Sequence, residues 1–179
     1  MKRLFIKRST VPLWEDHKAI WKHCEDCNLC KTRANTVLYR GCLPADILFV
    51  GESPGTSEDV TGFPFTGPSG DLLDGIIEQS VPDTFRVGIT NIIACLPPKE
   101  DEPGKVRPPT QDEIDSCWNR LHDISDIASP SLVIRVGDIA RKHFPDKEFP
   151  ECEYAFIKHP SFILRKPESV QVLLIKRCI

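Results

Sequence analysis

The chain has 179 residues, of which 40% are hydrophobic and 27% charged, ordinary values that exclude wholesale disorder. Lys plus Arg number 23 and Asp plus Glu 26, so the net charge of −3 excludes the global basic excess of a nucleic-acid-coating protein; a local basic groove stays open. Sixteen prolines against ten glycines point to rigid loops around a compact centre, and eight cysteines need a reason.

The length fits one domain, 1–179, large enough to bury a core. The opening MKRLFIKRSTVPLW is basic, but it has neither the apolar run nor the small-residue cleavage site of a signal peptide. The longest apolar runs, such as 47–50, are far short of a membrane span. The expectation is a cytoplasmic protein, not secreted and not in a membrane, monomeric by default. In such a reducing compartment cysteines serve as metal ligands, catalytic groups or core residues rather than as disulfides.

Residues 1–13 read as a basic lead-in. Residues 14–23 place Trp14 and Trp21 on one face of a short helix. Four continuous apolar runs follow, at 45–50 (ADILFV), 86–94 (RVGITNIIA), 132–136 (LVIRV) and 154–158 (YAFIK). Continuous rather than alternating runs are the pattern of strands buried on both faces. Helical spacing lies between them. Residues 69–79 carry Leu72, Leu73, Ile76 and Ile77. Residues 110–128 open with the capping box Thr110-x-x-Glu113 and continue with Ile114, Cys117, Trp118, Leu121 and Ile124. Residues 138–144 form a shorter helix. The alternation predicts an α/β fold, a three-layer α/β/α sandwich around a central, mostly parallel four-stranded sheet.

In open α/β sheets ligands sit at the carboxyl ends of the strands. The predicted strands end on Gly51-Glu52-Ser53-Pro54-Gly55, on Asn91, on Gly137 and on His159-Pro160-Ser161. Glu52, Ser53, Asn91 and His159 should therefore converge on one rim. GESPG matches neither a P-loop nor a dinucleotide fingerprint, and alone it reads as a tight turn. The stretch 62–70, GFPFTGPSG, adds two aromatics on a rigid loop. Phe63 and Phe65 suit stacking on a planar ring or packing in the core, and the residues alone leave both open.

Cys24-x2-Cys27 is a chelating pair, and Cys30 repeats the spacing. Cys95 and Cys117 bracket a Pro-rich loop. Thiolates so arranged suit zinc or an iron–sulfur cluster, and spacing leaves the two open. Cys117 also fits an apolar helix face. Cys42, Cys152 and Cys178 have no partner at chelating distance in sequence.

Taken in order, CEDCNLCKTR, ADILFVGESPGTSED, GFPFTGPSGDLLD, TNIIACLPP, EIDSC and HPSFILR resemble the uracil-DNA glycosylase superfamily, specifically its iron–sulfur family four. They span about residues 24–165. The resemblance implies a [4Fe–4S] cluster held by Cys24, Cys27, Cys95 and Cys117, with Cys30 outside the set. It implies Glu52 and Ser53 on the hydrolytic-water side, Glu58 at the pocket wall against the 5-methyl of thymine, and Phe65 stacked on uracil. Asn91 matches the residue that reads the uracil amide edge, and His159 the one beside O2. The implied activity is DNA repair: hydrolysis of the N-glycosidic bond of deoxyuridine in single- or double-stranded DNA. With no lysine in an obvious nucleophilic motif, no strand cleavage is expected. The alternatives are a glycosylase for another deaminated base, such as hypoxanthine or xanthine, a catalytically weak iron–sulfur DNA-binding scaffold, and a zinc module.

One stretch departs from the family. Residues 95–117 are longer than its usual CRPP-x-N-R-x-P loop, with Leu96 in place of the Arg, and part of this insert is expected near DNA or the cluster. The insert also lacks the Arg-Arg-Ile-His run of covalently trapping relatives, so ordinary turnover is expected. Basic residues gather at Lys2, Arg3, Lys7 and Arg8, at Lys31, Arg33 and Arg40, and at Arg165 and Lys166, where they are expected to neutralise phosphates.

Overall fold

The three inner apolar runs become strands because both of their faces are covered. The computed structural model describes residues 14–102, 104–146 and 151–175, with side chains to Gln171. Strand β2 (Ile47–Gly51) is buried throughout. Its Leu48 and Val50 join one core with Leu121, Ile124 and Ala128 of helix α4 (Gln111–Ala128). Its Ile47 and Phe49 join a second core with Leu73 of helix α3 (Pro68–Ser80). Successive side chains of a strand point to opposite faces, so one short run serves two cores and three layers result.

Strand β2 pairs in parallel with β3 (Val87–Asn91) on one side and β4 (Leu132–Val136) on the other. Strand β4 pairs in parallel with β5 (Glu153–Ile157). The expected four-stranded sheet has a fifth strand, β1 (Arg40–Gly41), antiparallel to β3, and the order is β1-β3-β2-β4-β5. Two residues are too few to show any periodicity, which is why this edge is silent in the sequence. The predicted strand 86–94 stops at Asn91, where its partner β2 stops at Gly51. Beyond it, the Ile92 and Ile93 amides donate to the carbonyls of Gly51 and Glu52.

Helix α1 (Trp14–Trp21) is two residues shorter than predicted and packs against α4. Trp14 and Trp21 flank the buried His17, with ring centroids 5.7 and 6.3 Å away. Burial, with Arg120 nearby, pushes the His17 pKa down to about 3, so the ring is uncharged. The capping box at α4 forms as predicted: the Glu113 amide donates to Thr110 Oγ1, and the Thr110 amide to Glu113 Oε2. Short helices α2 (Thr56–Thr61), α5 (Asp138–His143), α6 (Pro160–Leu164) and α7 (Glu168–Ile175) complete the layers. Of these, α2 and α6 carry no apolar period and were not expected.

The four parallel strands end on the same edge. The chain leaves β2 towards β3 and leaves β4 towards β5, so a crevice opens at the reversal. No helix among the described residues is long and apolar enough to cross a membrane.

Candidate active site and cysteine cavity

At that crevice lies a cavity of about 640 Å³ lined by Glu52, Ser53, Glu58, Phe65, Asn91 and His159. All six residues picked from the sequence meet there. Asn91 ends β3 and is 1% exposed, and its Oδ1 is buried without a hydrogen-bond partner. Facing it across the parallel register is Gly51. A Cβ at Gly51 would stand 2.3 Å from Asn91 Oδ1 and 2.6 Å from the Phe65 ring. Only glycine lets the amide and the aromatic ring close on this strand end.

Phe65 and Phe63 part company. Phe65 is 6% exposed and enters the cavity wall, whereas Phe63 is 55% exposed. Phe65 adopts a φ of 54°, uncommon for a bulky residue. Its ring centroid is 5.8 Å from that of His159, at 31°.

Glu58 explains how that backbone is held. It is 8% exposed and lines the cavity, with both oxygens committed. Oε1 accepts from the amides of Thr66 and Gly67, and Oε2 from that of Gly55, each at 3.0 Å. One carboxylate thus ties the GESPG loop to the Phe65 loop. Replacing Glu58 with alanine strands three backbone donors and should lower the unfolding free energy by about 2–3 kcal/mol. Urea denaturation checks this, and an unchanged midpoint would contradict it.

His159 caps the N-terminus of α6. Its Nδ1 accepts from the Ser161 amide at 3.2 Å and lies 2.9 Å from Ser161 Oγ. A backbone N–H can only donate, so Nδ1 is the acceptor and the ring proton sits on Nε2. Burial, aided by Arg165 and opposed by Glu58, lowers the pKa to about 4. The residue is therefore a neutral imidazole with an N–H donor at the cavity wall. Gly137, at a φ of +93°, keeps the ground beside it clear, since a Cβ there would be 3.0 Å from that of His159. Burial also raises the pKa of the half-buried Glu52 above the usual carboxylate value.

The insert 95–117 contributes wall residues that the sequence reading missed. Residues 97–107 fold back on themselves: the Lys99 amide donates to the Lys105 carbonyl, and the Arg107 amide to that of Pro97. The turn carries Val106, Arg107 and Pro108 to the cavity. Arg107 then grips Glu113 with two hydrogen bonds, at 2.9 and 2.6 Å. The length of the insert was the only available signal.

A second cavity gathers Cys24, Cys27, Cys95 and Cys117 together with Arg33 and Arg120. Cys30 does not line it. Arg33 Nη1 donates to Cys95 Sγ, and the Ala94 amide to Cys117 Sγ, both at 3.4 Å. Burial pushes the thiol pKa values of Cys24 and Cys27 up, and that of Cys95 up to about 12 against the pull of Arg33. Among the described residues, no three His, Cys, Asp or Glu side chains stand close enough together to hold a single ion. Four cysteines around one cavity, two of them receiving N–H groups at sulfur, fit a thiolate-bound group.

Several of the basic residues expected near DNA have protein partners. Arg33 faces the cysteines, and Arg40 pairs with Asp74 at 2.7 Å and donates to the Pro64 carbonyl. Both half-buried guanidiniums thus already bind protein groups. Arg165 does line the active-site cavity, and Lys166 lies 4.6 Å over the Phe162 ring. Lys2, Arg3, Lys7, Arg8 and Cys178 lie outside the described residues.

Residues 38–178 match the Uracil DNA glycosylase superfamily, a stretch that contains every residue of the larger cavity. The chain belongs to the uracil-DNA glycosylase superfamily. Its curated relatives lie in the type-4 family. A Type-4 uracil-DNA glycosylase of Pyrobaculum aerophilum is 30% identical over 166 residues, covering 82% of each chain. One of Sulfurisphaera tokodaii is 36% identical over 125 residues, 69% of this chain and 54% of that one. One of Thermotoga maritima is 36% identical over 125 residues, covering 70% and 62%. The matched region thus spans about half the length of the S. tokodaii relative. Membership in the superfamily and the α/β/α fold bear out the resemblance read from the six motifs.

Proposed function

We propose that this superfamily member is a uracil-DNA glycosylase, releasing uracil from DNA by hydrolysis of the N-glycosidic bond and leaving an abasic site. The observation that carries this reading is Asn91 Oδ1, a buried acceptor without a donor, set beside Phe65 and His159 in one cavity. Uracil offers an N3–H donor and an O4 acceptor side by side. An Asn amide matches that pair, with Oδ1 on N3–H and Nδ2 on O4, whereas cytosine presents the reverse pattern. The base must first leave the stack, at a cost of a few kcal/mol, and the Phe65 ring supplies a flat face to receive it.

Bond cleavage leaves negative charge on uracil and positive charge on the sugar. The His159 Nε2–H, donating to O2, stabilises the anion as it develops. Glu52, as a carboxylate with Ser53 beside it, favours the sugar cation and orients the water. Glu58 acts here as the brace that shapes the wall. Because burial raises the Glu52 pKa, the carboxylate is lost as pH falls through a value above the ordinary 4.5. The rate should therefore show an acid limb above that pH, and Glu52→Gln should abolish the limb along with most of the rate. A single-turnover pH profile that keeps the limb in Glu52→Gln would contradict this role.

In the second cavity Cys24, Cys27, Cys95 and Cys117 would hold a [4Fe–4S] cluster. The cluster would cross-link the segment after α1 to the loop after β3 and the first turns of α4, and hydrolysis needs no electron from it. Protein purified without air should be brown, absorbing near about 400 nm through thiolate-ligated iron; a colourless, zinc-loaded protein would overturn the cluster.

The functional test is a labelled single-stranded oligonucleotide with one uracil, incubated with cluster-loaded protein in EDTA and then treated with alkali. Cleavage at the uracil supports the reading. An uncut strand overturns it.

A further inference from the structure

We propose that Arg120 is a positioning residue that couples the cysteine cavity to the base-reading Asn91; this rests on the function proposed above. Arg120 lies on α4, one helical turn beyond Cys117, and lines the cysteine cavity. It is 1% exposed. Its Nη1 donates to Thr90 Oγ1 at 3.0 Å, and its Nη2 to the carbonyls of Asn91 and Ile92 at 2.6 and 2.7 Å. Thr90 Oγ1 in turn donates to the Leu38 carbonyl at 2.8 Å. The guanidinium is thus clamped on the end of β3, where the chain passes from Asn91 towards Cys95.

Two features turn this clamp into a functional device. The first is Asn91 itself. No partner holds its Oδ1, so the amide inherits its aim from the backbone that Arg120 grips. The second is charge. Each hydrogen-bond acceptor of Arg120 is neutral, and no carboxylate among the described residues forms an ion pair with it. A buried cation without an anion is costly. The cavity it borders holds four potential thiolates, with the Asp26 carboxylate also in the lining. A thiolate-bound centre supplies the missing negative charge, and the uncharged His17 adds no second cation beside it. Loading the cysteine cavity therefore steadies Arg120, and Arg120 steadies Asn91.

The test separates base reading from folding. Arg120→Lys keeps the charge but cannot span three oxygens as a planar fork does. Thr90→Val keeps the guanidinium and removes one anchor. For wild type and both variants, one measures free-uracil affinity by calorimetry, affinity for abasic-site DNA, visible absorbance, and the single-turnover rate. Arg120→Lys should weaken uracil binding and slow uracil release about tenfold, with abasic-DNA affinity and visible absorbance within about twofold of wild type. Thr90→Val should weaken uracil binding about threefold, and it carries the test if Arg120→Lys does not fold. Uracil affinity unchanged in the variants overturns the proposal, as does an equal loss of uracil and abasic-DNA affinity. If wild type releases uracil and the variants match it, this inference alone fails. If wild type neither binds nor releases uracil, the proposed function fails with it.

Discussion

His159→Ala is expected to slow uracil release about 10²–10³-fold in single-turnover assays, the usual cost of removing one preorganised donor to a developing oxyanion. The ring is already oriented: Nδ1 is occupied by the Ser161 amide, so only Nε2–H is left to meet the substrate. Its charge state follows from its burial. A pKa of about 4 means the imidazole is neutral throughout the neutral range and gains a proton only in acid. The rate should therefore show no inflection near 6.5, the ordinary histidine value. A neutral donor suits a site that stabilises an anion only when it appears, since it leaves no buried cation in the empty pocket. Affinity for abasic-site DNA should change little, because that DNA carries no base oxygen for His159 to meet. An alanine variant with wild-type rate, or a wild-type profile that titrates near 6.5, would remove His159 from the chemistry.

Which parts of this architecture could be read in advance follows from where the signal is periodic. The three inner parallel strands are legible because burial on both faces leaves uninterrupted apolar runs, and the half-exposed edge strand β5 keeps an apolar run of its own. Helices α3 and α4 are legible from an apolar stripe and, for α4, from a capping box whose two hydrogen bonds form as expected. Strand β1 and helices α2 and α6 are too short to carry any period. The rim residues are legible because a parallel sheet sends every strand end to one edge. Thus Glu52, Asn91 and His159 meet although more than a hundred residues separate the first from the last. The commitment of Glu58 to three amides was not legible, since a carboxylate's partners depend on loop shape. The protein partners of Arg33 and Arg40 were not legible for the same reason: a sequence shows that a residue is charged but not what neutralises it. The wall formed by Val106 and Arg107 depends on how the insert folds back, which neither composition nor spacing encodes.

The site also departs from ordinary local preferences. Phe65 holds an uncommon backbone conformation, Gly51 gives up a side chain so that two neighbours can close, and Asn91 buries an acceptor with nothing to accept. Each is a local cost at one strand end, and such costs gather where function requires them. The strongest test exploits the last. Asn91→Leu keeps the branching of the side chain while deleting the orphaned oxygen. An unsatisfied buried polar group costs about 1–3 kcal/mol, so the leucine variant should unfold at higher denaturant, stabilised by roughly 1 kcal/mol, the lower end of that range. The same change leaves N3–H and O4 of the base without partners. A site built to hydrogen-bond its substrate loses about 10³-fold or more in kcat/KM when that pairing is removed. Stability and activity should therefore move in opposite directions. A merely structural asparagine makes the opposite forecast, with the variant less stable and its residual activity tracking the folded fraction. Parallel urea titrations and single-turnover assays distinguish the two: a leucine variant both less stable and fully active would show that Asn91 holds the strand end rather than reading the base.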